Sequence, residues 1–463
     1  MLRKLWCAAA LAAAVLPARA QESDAAKLRE ELQQLKQQLQ KMERRLQETE
    51  AKSGKAEESA ARAETTVTQA AAQASSRPQT ESALNPGISA ILNGVYSNLS
   101  RDPKSYRING FVPTMGDVAP PRRGLSLGES ELGFTSNVDH LFRGTLIASI
   151  SPDNDSIGVE EGYIQTLGLS HGFTVKAGRF FSAVGYQNQI HAHAWDFTDA
   201  PLANKVFLGN QLNEDGIQLK WVAPTSLYWD LGAEFGSGRA FPGGPAGGVN
   251  KNGFGSTNLF THVGGDIGAS TSWLAGLSHL RTAPQDRTFD DLDGTGTLVT
   301  NSFTGTSRLW VVDGVLKWSP NGNSTYNSFK LQGEYFRRTE DGVLTYDTQA
   351  ASLGPTSGSV SSRQSGWYLQ GVYQFLPAWR FGYRYDQLDS GSFSLGGALT
   401  AANFPTLGSY NPSRNTVMVD WSPSEFSRVR LQYARDYSRQ GQPDNQVFLQ
   451  YIVSLGAHGA HKF

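Results

Sequence analysis

The run Gln189-Ile-His-Ala-His-Ala-Trp-Asp-Phe197, followed by Thr198 and Asp199, gathers the side chains in this sequence best suited to chemistry. His191 and His193 are two of only 8 histidines, and at i, i+2 they share a face when the backbone is extended. Two imidazoles joined by a carboxylate of Asp196 or Asp199 would form a nitrogen–oxygen site suited to zinc. The same four residues could instead hydrogen-bond a supporting wall and narrow a passage, with no ion involved. The spacing is less specific than a His-Glu-x-x-His helix and does not choose between the two. Catalysis is not expected, because no serine stands out beside the histidines and the one cysteine, Cys7, lies in a leader.

The elements flanking this run show what would hold it. Between Glu214 and Gly236, Ile217, Leu219 and Trp221 alternate with Gln218 and Lys220. After a short Ala-Pro-Thr-Ser break, Leu227, Trp229, Leu231, Ala233 and Phe235 alternate with Tyr228, Asp230, Gly232 and Glu234. Period-two alternation places one set on each face of a strand. One face here is large and apolar, and the other carries charges that few cores tolerate. About sixteen such segments of about ten residues recur from Gly87 onward, as a tilted membrane strand requires. The spacing predicts an all-β fold: a closed antiparallel transmembrane barrel with lipid outside and water inside. Arginine at Trp229 or Leu231 is then expected to be damaging, and at Tyr228 or Gly232 to be tolerated.

Short connections alternate with long polar ones at 99–124, 182–214, 237–256, 283–304, 340–363 and 390–413. Barrels of the outer membrane show this asymmetry, with tight periplasmic turns and long external loops. Four of the tight turns carry an aromatic just before a proline: Trp221 to Pro224, Trp318 to Pro320, Phe375 to Pro377 and Trp421 to Pro423. Proline ends each strand, and the rings would form one girdle at headgroup level. The 182–214 connection is the third long-side connection once the short 153–156 break is included. Ile190, Trp195, Phe197 and Leu202 give it a reason to fold inward, since burying each is worth roughly 1.5–3 kcal/mol. Imidazoles with an ordinary pKa of about 6.5 there would gain charge between about pH 7.5 and 5.5.

Residues 1–20 read as a secretory signal: Arg3 and Lys4, an apolar run from Leu5 to Leu16, then Ala18-Arg19-Ala20. Its removal takes three of the 41 basic residues and none of the 42 acidic ones, which leaves a net charge of about −4 and argues against a nucleic-acid partner. In 21–50, Leu28, Leu32, Leu35, Leu39, Met42 and Leu46 form the seam of a coiled-coil helix, placed in the periplasm. Residues 51–85 read as a flexible tether and 86–463 as the barrel. Val447, Leu449, Tyr451, Val453, Leu455 and the last residue, Phe463, share one parity, like the terminal signal of outer-membrane barrels.

Leader, seam, tether and sixteen-strand pattern together resemble the phosphate-selective porin O and P family of outer-membrane channels, with the best local likeness at Val175-Lys-Ala-Gly-Arg-Phe-Phe181. The resemblance implies a homotrimeric channel in outer-membrane lipid, lined by basic residues. This chain departs from an all-basic ladder. Its inward set of Lys176, Lys220, Lys330, Arg380, Arg384, Arg428 and Arg430 is mixed with Asp230, Glu234, Asp313, Glu334 and Asp386. The expected function is passive diffusion of small polar solutes or ions past His191, His193, Asp196 and Asp199. The alternative is zinc binding or import through the two histidines, with periplasmic contacts made by the coiled coil.

Overall fold

The computed structural model describes residues 86–114, 118–150, 156–244 and 252–456, together with Lys41. The expected leader, coiled-coil segment, tether and terminal Phe463 lie outside the described residues.

The wall begins with β1 (Gly87–Leu99), β2 (Gly124–Leu127), β3 (Ser130–Asn137), β4 (Phe142–Ile150), β5 (Ile157–Thr166) and β6 (Phe173–Phe181). A short helix α1 (Leu202–Leu208) precedes β7 (Asn213–Val222), β8 (Tyr228–Gly236), β9 (Ser256–Ile267), β10 (Thr271–Thr282) and β11 (Arg287–Leu292). The longest strands follow: β12 (Leu298–Trp318), β13 (Ser328–Tyr346), β14 (Thr356–Leu376) and β15 (Trp379–Leu395). The wall ends with β16 (Ser413–Ser424), β17 (Ser427–Asp436) and β18 (Asp444–Gly456).

All neighbours pair antiparallel, and β18 returns to β1 from Ser89↔Gly456 to Leu99↔Gln446, which closes the sheet. The 18 segments make a 16-strand barrel. β2 and β3 pair with successive parts of β1 as one interrupted strand, and β10 and β11 do the same against β12. Closure matters because lipid offers no hydrogen bonds to an open edge. The segment Gly124-Leu-Ser-Leu-Gly128 fits a nucleophile-elbow pattern in letters only, since it lies along β1 as a strand and not at a strand-to-helix turn.

The period-two reading sets the two surfaces. Trp229, Leu231 and Phe235 are exposed on the outside, while Asp230 and Glu234 are buried within. Trp318, Phe375 and Trp421 stand exposed near the short turns. Trp379 stacks on Trp421 at 6.1 Å between centroids, and Trp221 packs between Phe173 and Trp229. The expected girdle is therefore present on that rim.

One expectation about the inner face is overturned. Gly232 does not face open water, because the Phe260 ring lies across it and an added Cβ would sit 2.0 Å from its Cζ. The other inward residue, Tyr228, is exposed, and its hydroxyl donates to Asp230 at 2.7 Å. Leu231→Arg should cost about 2–4 kcal/mol near the bilayer midplane, and Trp229→Arg less, being nearer the rim. Gly232→Arg should also destabilise, by a clash with Phe260, whereas Tyr228→Arg should be mild. Denaturant titration of the four variants in lipid vesicles checks this order.

Candidate functional site

The connection after β6 folds into the barrel. From Ser182 to Leu212 most side chains are buried, and Gly185 and Gly209 turn the chain at either end with φ of 69° and 65°. A side chain at Gly185 would also meet Glu334 Oε1 at 2.5 Å. α1 presses Leu202, Ala203, Val206, Phe207 and Leu208 against Leu280, Leu309, Val311, Phe336, Tyr368 and Leu388 of the opposite wall. One side of the lumen is thus a dry core. Phe197 makes a second contact with Val372 and Met418. Trp195 is buried, and its indole N–H donates to the Ile190 carbonyl at 2.7 Å.

Two sets of polar contacts fix the loop. In the first, basic residues of the wall, joined by Lys205 of α1, hold its acids. Asp196 lies 3.0 Å from Lys330 Nζ and 3.1 Å from Arg380. Asp199 pairs with Arg384 at 3.1 Å, with Lys205 at 3.1 Å and with Arg414. Arg430 donates to the Trp195 carbonyl at 2.7 Å, and Arg428 reaches the same oxygen at 3.4 Å. In the second, acidic wall residues accept the loop's backbone amides: Glu234 from Ala183, Glu334 from Tyr186 and Gln187, and Asp386 from Leu202. The mixed signs on the inner wall therefore match the two kinds of group the loop presents.

The expected pore-lining residues divide accordingly. Arg384 and Arg430 face inward but are fully buried beneath the loop, so they clamp it instead of lining open water. Lys176 is buried too, 4.5 Å from the Tyr163 ring centroid. Arg380, Arg428 and Lys220 keep partial exposure. His191 and His193 do not join Asp196 or Asp199. They turn to the opposite wall, where His191 meets Glu131, Glu160 and Glu161, and His193 Nδ1 lies 2.7 Å from Glu131.

These glutamates were not legible from alternation. Glu160 and Glu161 are consecutive, yet both are buried inside, because the register slips where Ile147 pairs Glu161 and Ala148 pairs Val159. The bulge leaves Glu160 as the extra residue, turned inward beside its neighbour. The 100–123 connection was also missed as an inward loop. Phe111 packs edge-on against Phe207 at 5.9 Å, the Tyr106 hydroxyl donates to Ser438 at 3.2 Å, and the Gly110 carbonyl accepts from Gln364 at 2.7 Å. Two buried aromatics in a polar stretch were the available signal.

Electrostatics differ between the histidine segment and the Asp199 clamp of the 182–212 loop. Burial opposes a charge on His191, but the surrounding glutamates outweigh it and hold its pKa well above the ordinary value. The expected gain of charge by His191 is therefore shifted toward higher pH than an ordinary imidazole would show. Burial likewise opposes a charge on Asp199, but Arg414, Lys205 and Arg384 hold its pKa well below the usual carboxylate range.

No family model matches the chain. An uncharacterised protein of Aquifex aeolicus (strain VF5) is 29% identical over 409 residues, covering 83% of this chain and 81% of that protein. Among solved structures, a loop L8 deletion mutant of OmpT, an outer membrane protein of Vibrio cholerae, aligns with 80% of this chain and 99% of its own (12% identity, TM-score 0.48). An anion-selective porin from Comamonas acidovorans aligns over 80% and 99% (10%, TM-score 0.47). The outer membrane channel DcaP of Acinetobacter baumannii aligns over 80% and 97% (13%, TM-score 0.46). None of these likenesses assigns a solute or a site to this chain.

Two outcomes follow from the clamp. Asp199→Asn leaves Arg384, Arg414 and Lys205 without their shared carboxylate, and breaking a buried pair typically costs about 3–5 kcal/mol. The barrel should stay closed while the loop loosens, read as faster protease cleavage within 182–212. The pH response is set by the depressed pKa of Asp199. Its stabilisation is complete above the unfolded value of about 3.9 and fades only as pH falls through the lower folded value. Cleavage of the parent should thus be as slow at about pH 4.5 as at neutrality, with pH-tolerant proteases as the probe.

Proposed function

We propose that the chain is a porin-like channel of the bacterial outer membrane, open to passive diffusion of small polar solutes or ions. A closed barrel with an apolar exterior and a charged interior is the architecture of that membrane. The observation that carries the proposal is the space left inside. A cavity of about 480 Å³ is bordered by the two inward loops and by wall residues of β1, β2, β4 and β18. Lys104, Arg107, Glu129, Trp195, Asp199 and Lys205 all border it. A space bordered by both signs would set up a transverse field that orients polar solutes instead of selecting one charge. Phosphate selectivity is therefore not part of the proposal.

Asp196, Asp199 and the histidine segment act as the constriction through the loop that carries them, and the partly exposed Arg380, Arg428 and Lys220 are the wall charges nearest to water. The leucine seam at 28–46 is proposed to support a homotrimer, with the N-terminal helices in the periplasm.

Purified protein in planar bilayers should give discrete conductance steps. Trp195→Ala should raise both conductance and current noise while gel mobility before and after boiling still reports a folded barrel. A folded barrel that passes no current would overturn the channel. Unchanged conductance in Trp195→Ala would remove the loop from the constriction. Cross-linking of the parent should trap a trimer, and deletion of 21–50 should weaken it.

A further inference from the structure

The histidine segment meets the wall at glutamates to which the channel reading gives no role. Glu131 on β3 and Glu160 on β5 both turn toward His191 Nδ1, at 3.3 and 3.4 Å. Charge-assisted hydrogen bonds are shorter, about 2.7–2.9 Å. Ligands at about 2.0–2.1 Å from a tetrahedral ion lie about 3.4 Å apart, which is the spacing of His191 Nδ1 from both carboxylates, while His193 Nδ1 and Glu131 Oε1, now 2.7 Å apart, would separate to admit the ion. Neither His191 Nδ1 nor Glu160 Oε2 has a hydrogen-bond partner, although Glu160 is only 6% exposed. Both unsatisfied atoms point at the same small volume.

The other imidazole nitrogen explains why Nδ1 is aimed there. His191 Nε2–H donates to Glu161 Oε2 at 3.0 Å, which fixes the ring and leaves Nδ1 as the inward-facing atom. Metal-bound histidines typically donate their second nitrogen to a carboxylate in this way. His193 brings a second imidazole, its ring 5.7 Å from that of His191. Glu131, His191 and His193 each offer a ligand atom within 4.8 Å of the others. The bulge that turns both Glu160 and Glu161 inward supplies an inner carboxylate and an outer one from adjacent residues.

We propose that Glu131, Glu160, His191 and His193 bind one divalent transition-metal ion of the zinc class, with Glu161 orienting His191 from outside the coordination sphere. Imidazole and carboxylate together suit zinc better than calcium or magnesium, which take oxygen ligands alone. The ion would join the inward loop to β3 and β5, on the side of the barrel away from the Asp196 and Asp199 clamps. The site stands whether or not the barrel conducts.

The test uses full-length protein in detergent, stripped with a chelator and titrated calorimetrically with zinc chloride. The expected result is one zinc per chain, with X-ray absorption showing imidazole nitrogen and carboxylate oxygen at about 2.0–2.2 Å. His191→Ala/His193→Ala should weaken binding at least 100-fold, and Glu161→Gln about 10–100-fold through lost orientation of His191. Glu160→Gln keeps the side-chain shape and serves as the ligand variant should the double substitution fail to fold, as judged by mobility before and after boiling. No zinc uptake by the folded parent would overturn the proposal. So would equal uptake by the parent and the folded ligand variants, or binding of calcium in preference to zinc.

Discussion

The wall of this molecule is built for an outer surface that offers no hydrogen-bonding solvent. Strands in lipid must satisfy each other's N–H and C=O groups, and the only arrangement without a loose edge is a closed ring. The pairing of β18 with β1 over eleven registered positions completes that ring. Closure then determines the side chains. Alternate residues must be apolar to meet lipid, so Lys176, Asp230, Glu234, Asp313 and Glu334 turn inside, while outward charges such as Arg179 and Arg308 pair with Asp215 and Asp341. Trp229 and Leu231 stand outside and Asp230 and Glu234 inside for this single reason.

Charge concentrated within a narrow barrel needs partners or water, and here much of it has partners. The inward loop presents carboxylates at Asp196 and Asp199 and bare amides at Ala183, Tyr186, Gln187 and Leu202. The wall answers with arginines and lysine on one side and with Glu234, Glu334 and Asp386 on the other. Buried ion pairs contribute little net stability, since desolvation offsets much of their attraction, but an unpaired partner is costly. The network thus specifies one loop position more than it strengthens the fold. The apolar faces of α1 and Phe197 provide the driving force, and the remaining cavity is what that packing does not fill.

The fold was legible because the lipid face imposes a strict period. β7 and β8 begin and end within a few residues of the two alternating runs between Glu214 and Gly236. Where lipid no longer dictates the sequence, the pattern thins. β11 and the upper parts of β12 to β15 rise beyond the length a bilayer needs, and stretches such as Thr356-Ser-Gly-Ser-Val-Ser-Ser362 read as loop until their pairing with β13 is seen. The inward loop was legible from its own apolar residues. Its partners were not, because they come from strands as far as 235 positions away, as Arg430 is from Trp195, and Gln432, which accepts from the Thr198 amide, is nearly as distant. Glu160 and Glu161 were hidden by a different cause: a bulge breaks the parity rule that any reading by alternation assumes. His191 and His193 were recognised as a pair, but their carboxylate neighbours were sought nearby in the chain instead of across the barrel.

Solutes are proposed to cross through the cavity that the two inward loops leave beside the wall. The chain's only cysteine is Cys7, within the expected leader, so a single engineered thiol in the barrel can be modified selectively. Lys104→Cys places one beside the cavity, and Leu231→Cys places one on the lipid face. Single-channel current should drop sharply when a bulky charged thiol reagent reacts at position 104 and stay unchanged for position 231. An unaltered current after complete modification at position 104 would contradict the account.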